Sequence, residues 1–161
     1  KIQFVFIGDG ARRKQIANFC RLRGLTNVHI LDAKSSSDLP YSQGLGDIHV
    51  VTLGAPYTGL MVPSKAYSAL AAGRPLLYLG SPAGEIARLI AEEDVGVVID
   101  PTDGPAIKEA ILDYYLHSDR LTQAGERARR LALGRCSMTV AADTYAREFV
   151  QLIDSIGTGV R

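Results

Sequence analysis

The sequence predicts an α/β protein: a Rossmann-like parallel sheet with helices on both faces and a helical extension at the carboxyl end. Three observations carry this. Five short apolar runs, at 2–7, 28–31, 47–53, 75–79 and 96–99, alternate with stretches of helical periodicity. The runs are nearly continuous in aliphatic residues, as in strands buried on both faces. After Asp103 the chain turns wholly helical. No internal repeat or linker interrupts the pattern, so residues 1–161 read as one domain.

The elements follow in order. The run at 2–7, I-Q-F-V-F-I, is a strand that ends in the tight turn Gly8-Asp9-Gly10. Residues 11–23 place Ile16, Phe19 and Cys20 on one helical face, and Gly24 stops the helix. V-H-I-L at 28–31 is a short strand closed by Asp32. Residues 33–39 are Ser-rich and form a loop, and residues 39–45 hold a short helix limited by Gly44 and Gly46. A strand at 47–53 leads through a loop to a central helix at 64–72, and a strand at 75–79 follows. Ile86, Leu89 and Ile90 form the stripe of a helix at 83–93. G-V-V-I at 96–99 is a buried strand closed by Asp100-Pro101. Helices follow at 106–116, with Ile107, Ala110, Ile111 and Tyr114 on one face, and at 120–133. Ser137 caps a last helix whose stripe is Tyr145, Phe149, Leu152, Ile153 and Ile156; the tail 157–161 is expected to fray.

Composition narrows the function classes. The chain has 161 residues, 47% hydrophobic and 22% charged, ordinary for a globular domain with a substantial core. A net charge of +1 gives no drive toward nucleic acid or an anionic membrane. Cys20 and Cys136 lie far apart, lack metal-ligand spacing and fit apolar helical faces, so they read as reduced core thiols of a cytoplasmic protein. No apolar run reaches the length of a membrane span, and no signal-peptide pattern is present. A chain that opens directly in a strand, without an initiator Met, is expected of a fragment or processed product.

The stretch that organises the rest is G-L-M-V-P-S-K-A-Y-S-A-L-A-A-G-R-P at 59–75. Pro63 and Ser64 mark a helix start, and Gly73 and Pro75 mark its stop. Lys65 then falls in the first turn, beside partial positive charge and unpaired N–H groups. A lysine there opposes helix stability but suits a bound phosphate. The alternative is a surface lysine that faces water.

Other constellations are weaker. Gly8-Asp9-Gly10 after a strand, with Asp32 ending the next, is part of a dinucleotide fingerprint, but Arg13 stands at the third glycine position and would obstruct close helix–sheet packing. His29, His49 and His117 form no triad or metal set. There is no G-x-S-x-G elbow and no identifiable general base. Asp9, Asp32 and Asp47 sit at strand boundaries as in a receiver domain, but the third strand ends in Leu53-Gly54 and not in an acceptor Asp.

Taken together, F-V-F-I-G-D-G-A-R-R, L-T-N-V-H-I-L, D-I-H-V-V-T-L, V-P-S-K-A-Y-S-A-L-A-A-G-R-P and V-G-V-V-I-D-P-T-D resemble the carboxyl-terminal domain of a retaining GT-B glycosyltransferase of the bacterial polysaccharide-assembly branch (group 1, family 4 type). They occur in family order from Ile2 to about Ile156. The resemblance implies a domain that binds a nucleotide-sugar donor, most often a UDP-sugar, without a metal or other cofactor. The diphosphate would lie over Val62, Pro63, Ser64 and Lys65, with Lys65 catalytic. The turn Gly8, Asp9, Gly10 would let the backbone approach the donor, Thr58 and Gly59 would face the sugar with Leu60, and the loop after Leu31 would lie near the base. Many relatives carry two glutamates across this loop and helix; here the positions are Leu60 and Ser68, and Ser68 is left to hydrogen-bond a ribose hydroxyl. The family also has one more strand and helix in this domain, bearing an Arg and a Lys, which this chain lacks. The implied partner is an amino-terminal acceptor domain of the same parent chain, toward which the last helix would cross. Membrane contact, if any, would come through that parent. Rival readings are a non-catalytic interaction module, an NAD-binding domain and a nucleotide-sugar epimerase.

Overall fold

A computed structural model describes residues 1–157 of the chain. The order is β1 (Phe4–Ile7), α1 (Arg13–Leu22), β2 (Val28–Leu31), α2 (Leu39–Leu45), β3 (His49–Thr52), α3 (Lys65–Ala71), β4 (Leu76–Leu79), α4 (Glu85–Glu93), β5 (Gly96–Ile99), α5 (Gly104–Leu116), α6 (Ser118–Leu133) and α7 (Met138–Gly157). Short 3-10 turns at Ser36–Asp38 and Ala55–Tyr57 lie in stretches the sequence left as loops. The α/β class, the parallel strands and the carboxyl-terminal helices agree with expectation. Gly157 closes α7; the rest of the tail, 158–161, lies outside the described residues.

The strands are parallel throughout, but they form two ladders. β1 pairs with β2, Phe4 opposite Val28 through Ile7 opposite Leu31. β3, β4 and β5 form the second ladder, with His49 opposite Leu76 and Leu76 opposite Gly96. No pairing joins β1 to β3. The pattern of apolar runs implied strands covered on both faces; β4 comes nearest to that, whereas β3 leaves Val50 and Thr52 exposed and β1 all four residues.

The core accordingly sits around β3–β5. Leu70, Leu76, Tyr78 and Val95 are fully buried, with Ile86, Leu89 and Ile90 of α4 packed beside them. Helix α3 contributes Ala66, Ala69 and Leu70 to the core and packs against α6. At that crossing a Cβ on Gly125 would fall 2.5 Å from the Gly73 carbonyl, so only glycine allows the approach. In contrast, β1 leaves all four side chains exposed and α1 buries none. Two expectations are corrected here. Cys136 lies in the turn between α6 and α7, outside any helix, and both Cys20 and Cys136 are free and only half-buried. Asp47 precedes β3 and so lies at the amino edge of the strands, beside Arg74 at 3.8 Å and apart from Asp9 and Asp32.

Candidate functional site

Parallel strands joined by crossovers bring every strand-to-helix loop to one rim, at the carboxyl ends of the strands. Here these are the loops at 8–12, 32–38, 53–64, 80–84 and 100–103. Gly8 turns the first with φ +124°, a conformation side chains resist, and nothing lies within 4 Å of where a Cβ would stand on Gly8 or Gly10.

Arg13 behaves differently from its expected role as an obstruction. Its guanidinium folds back over the turn and donates to the carbonyls of Gly8 at 3.0 Å and Leu31 at 3.1 Å. It also pairs with Asp9 at 3.0 Å and Asp32 at 2.7 Å. The side chain thereby ties the first turn to the end of β2. Asp32, the acid a dinucleotide reading would give to a ribose, is already engaged, and the receiver-like set of three carboxylates does not assemble.

The central loop and helix hold the expected site residues. Ser64 stands at the N-cap position of α3 but is helical in conformation, with φ −58° and ψ −25°, and its side chain makes no capping bond. The first turn is closed instead by i→i−3 bonds: Ala66 N–H donates to the Pro63 carbonyl and Tyr67 N–H to that of Ser64. Within residues 54–65, the N–H groups of Gly54, Ala55, Gly59, Val62, Ser64 and Lys65 have no intrachain partner, and the last four of these surround the start of α3. Gly59 has φ +83°, which turns the loop toward α3. Ser64, Lys65 and Ser68 are exposed and, at helical spacing, share one face opposite the buried Ala66, Ala69 and Leu70. Thr58 has a buried hydroxyl without a partner. The stretch from Leu60 to Val62 presents apolar side chains to solvent, Leu60 being 81% exposed. The structure thus gathers Thr58, Gly59, Val62, Pro63, Ser64, Lys65 and Ser68 in one loop–helix unit. Gly8, Asp9 and Gly10 lie on the same rim in the other ladder.

The histidines have structural partners. His29 contacts Gln3 at 2.8 Å, His117 pairs with Asp113, and His49 donates to the Gln43 carbonyl at 2.8 Å. Burial lowers the His49 pKa below its ordinary value. Among the described residues no cluster of His, Cys, Asp or Glu could hold a metal ion. Nothing in the sequence singles out Tyr78 beyond the glycines behind it, yet its hydroxyl is buried without a partner, and a Cβ on Gly80 would stand 2.6 Å from it. Burial raises the Tyr78 pKa, so the phenol stays protonated. A shallow depression of about 380 Å³, lined by Asp47, Gly73, Arg74 and Arg129 among others, lies at the amino edge, away from the rim loops. What the rim offers chemically is a cation and open backbone donors, suited to an anion, with no acid–base pair.

No protein-family profile matches the chain. Over 111 residues it is 31% identical to the probable glycosyltransferase WbjE of Pseudomonas aeruginosa, a match covering 69% of this chain and 28% of that protein. Among solved structures, HepE of Anabaena, in complex with UDP, superposes with a TM-score of 0.78 at 17% identity, over 93% of this chain and 41% of that one. Sucrose-phosphate synthase of Thermosynechococcus elongatus gives 0.76 at 20% identity, over 95% and 39%. WaaG, a glycosyltransferase involved in lipopolysaccharide biosynthesis, gives 0.63 at 21% identity, over 82% and 34%. The chain therefore spans 28% of the length of its curated relative and between 34% and 41% of the solved ones. It has the fold of the carboxyl-terminal domain of GT-B glycosyltransferases and is related to them in sequence.

Proposed function

We propose that residues 1–161 form one domain that binds the nucleotide-sugar donor of a retaining glycosyltransferase. The donor is a UDP-sugar, and the parent enzyme assembles a polysaccharide or glycolipid at the cytoplasmic side. The observation that carries this reading is the exposed Lys65 among the unpartnered N–H groups of Gly59, Val62, Ser64 and Lys65. Such a set stabilises a diphosphate and, more strongly, the charge that develops on it as the sugar departs. Val62, Pro63, Ser64 and Lys65 cradle the diphosphate, Ser68 reaches a ribose hydroxyl, and Thr58 and Gly59 face the sugar. Gly8, Asp9 and Gly10 keep the backbone open to the donor. The acceptor belongs to another domain of the parent chain, so this domain alone transfers no sugar. The likeness to a UDP-bound protein and to WbjE supports the choice of ligand class.

One observation favours a second reading, a domain that binds protein and not a donor: Leu60 and Met61, 81% and 53% exposed, stand beside the site. Calorimetric and NMR titration with UDP, with NAD as control, separates the readings. UDP is expected to bind and to shift the amides of Ser64, Lys65 and Ser68, and Lys65→Ala to weaken binding several-fold. Unchanged affinity in that variant removes Lys65 from the site. Binding of NAD alone overturns the donor reading, and silence of the whole parent protein toward UDP favours the protein-binding one.

A further inference from the structure

We propose that the outward face of α1 lies on an anionic membrane surface, with Phe19 and Leu22 entering the headgroup boundary between cations that meet lipid phosphates. The net charge of +1 hides an uneven distribution. Between Gly10 and Leu31 the chain carries Arg12, Arg13, Lys14, Arg21 and Arg23 and no Asp or Glu, so the remainder is net acidic. Arg13 is engaged by Asp9 and Asp32. The side chains of Arg12, Lys14 and Arg21 make no ion pair or hydrogen bond among the described residues. The Arg23 guanidinium lies over the Phe19 ring, 5.7 Å from its centre.

The burial pattern fixes which way the helix faces. Arg13, Ile16 and Cys20, at helical spacing, are half-buried and mark the side turned to the ladder, where α1 packs against β2. Phe19 and Leu22 stand off that side, 55% and 74% exposed. With about 3.6 residues per turn, Lys14 and Arg21 border this pair on one flank and Arg12 and Arg23 on the other. Leu25, 41% exposed, follows the end of the helix.

An apolar pair framed by cations selects its occupant. A nucleic acid or acidic peptide would answer the charges but offer Phe19 and Leu22 no apolar medium. An apolar protein surface would cover the pair but strand the cations away from water. The boundary of an anionic bilayer does both, since apolar side chains enter it while Lys and Arg stay at the phosphates. No helix among the described residues is long and apolar enough to cross a membrane, so α1 would lie in the surface plane.

Binding of the whole parent protein to phosphatidylglycerol and to phosphatidylcholine vesicles tests this, with radical footprinting of side chains. Phe19 and Leu22 are expected to react freely in solution and to be shielded on phosphatidylglycerol vesicles only. Lys14→Gln with Arg21→Gln should weaken that binding about 10-fold or more, and Phe19→Ser with Leu22→Ser should also weaken it. All four side chains are exposed, so the thermal midpoint should hold. Lys108→Gln with Arg147→Gln removes equal charge elsewhere and should weaken binding less. Equal loss in the two charge variants overturns the proposal, as does absence of vesicle binding. Shielding of Phe19 and Leu22 before vesicles are added also overturns it, and assigns the face to another part of the protein. Shielding by polyglutamate or duplex DNA that ignores Phe19→Ser with Leu22→Ser overturns it in favour of a polyanion.

Discussion

His49 enters β3 half-buried, with its ring tied to the Gln43 carbonyl. Loss of water lowers its pKa from the ordinary 6.5; the Gln43 bond opposes this, and Arg74 adds to it. The unfolded chain therefore takes up a proton more readily than the folded one. The resulting stability is fully present above 6.5 and is lost as pH falls through the lowered native value. The urea midpoint is expected to hold above 6.5 and to fall as the pH drops below it. His49→Gln should remove much of that fall; an undiminished fall places the proton uptake elsewhere. The same scale shows what a sequence reveals about single side chains. Lys65 was legible at a helix start because Pro63, Ser64, Gly73 and Pro75 punctuate the helix locally. The missing Ser64 cap was not, because the turn closes through backbone bonds that leave the hydroxyl unused. Nor was the clamp of Arg13, whose partners Leu31 and Asp32 come from the following strand.

Elements are held by close backbone approach as well as by burial, and Gly96 is the sharpest instance. It opens β5 opposite the fully buried Leu76, and a Cβ there would fall 2.1 Å from the Leu76 carbonyl oxygen. That neighbour is backbone in the middle strand of its ladder, so it cannot swing aside. Gly96→Ala is expected to destabilise by about 3 kcal/mol, the upper range for overpacking. Gly104→Ala, at the start of α5 with nothing within 4 Å, serves as the control and should be near neutral or slightly stabilising. Comparable urea midpoints for the two variants would mean that the β4–β5 spacing yields. The elements themselves were legible because each carries its own period: Ile86, Leu89 and Ile90 are buried as the helical stripe requires. Their ends were less so. β3 stops at Thr52 and begins at His49, inside the apolar run, because pairing extends only as far as β4 does.

At the scale of the molecule, burial is uneven. The fully buried side chains belong to β4 and the residue before it, the segment leading into β5, and α3, α4 and α6, while β1, α1 and the last helix stay open. The sequence could not reveal this, since an apolar pattern specifies which face seeks cover but not whether cover is present. Strand order was equally hidden, because β1 looks like a strand from the middle of a sheet whether or not neighbours flank it on both sides. Helix α7 makes the difference testable. Ser137 caps it, accepting from Val140 N–H, and the stripe of Tyr145, Phe149, Leu152 and Ile153 is present as its spacing required; the Ile156 side chain lies outside the described residues. Yet every side chain from 138 to 155 is exposed, with Phe149 at 61% and Ile153 at 66%. An apolar stripe of this length in water favours self-association over solution as a monomer. Phe149→Lys with Ile153→Lys removes that stripe without removing a packed contact. Stability should change by about 0.5 kcal/mol or less per site, as for other surface positions. Sedimentation should show less self-association of the variant at equal concentration. A large fall in the thermal midpoint would mean instead that α7 folds onto this domain in solution and that its stripe belongs to the core.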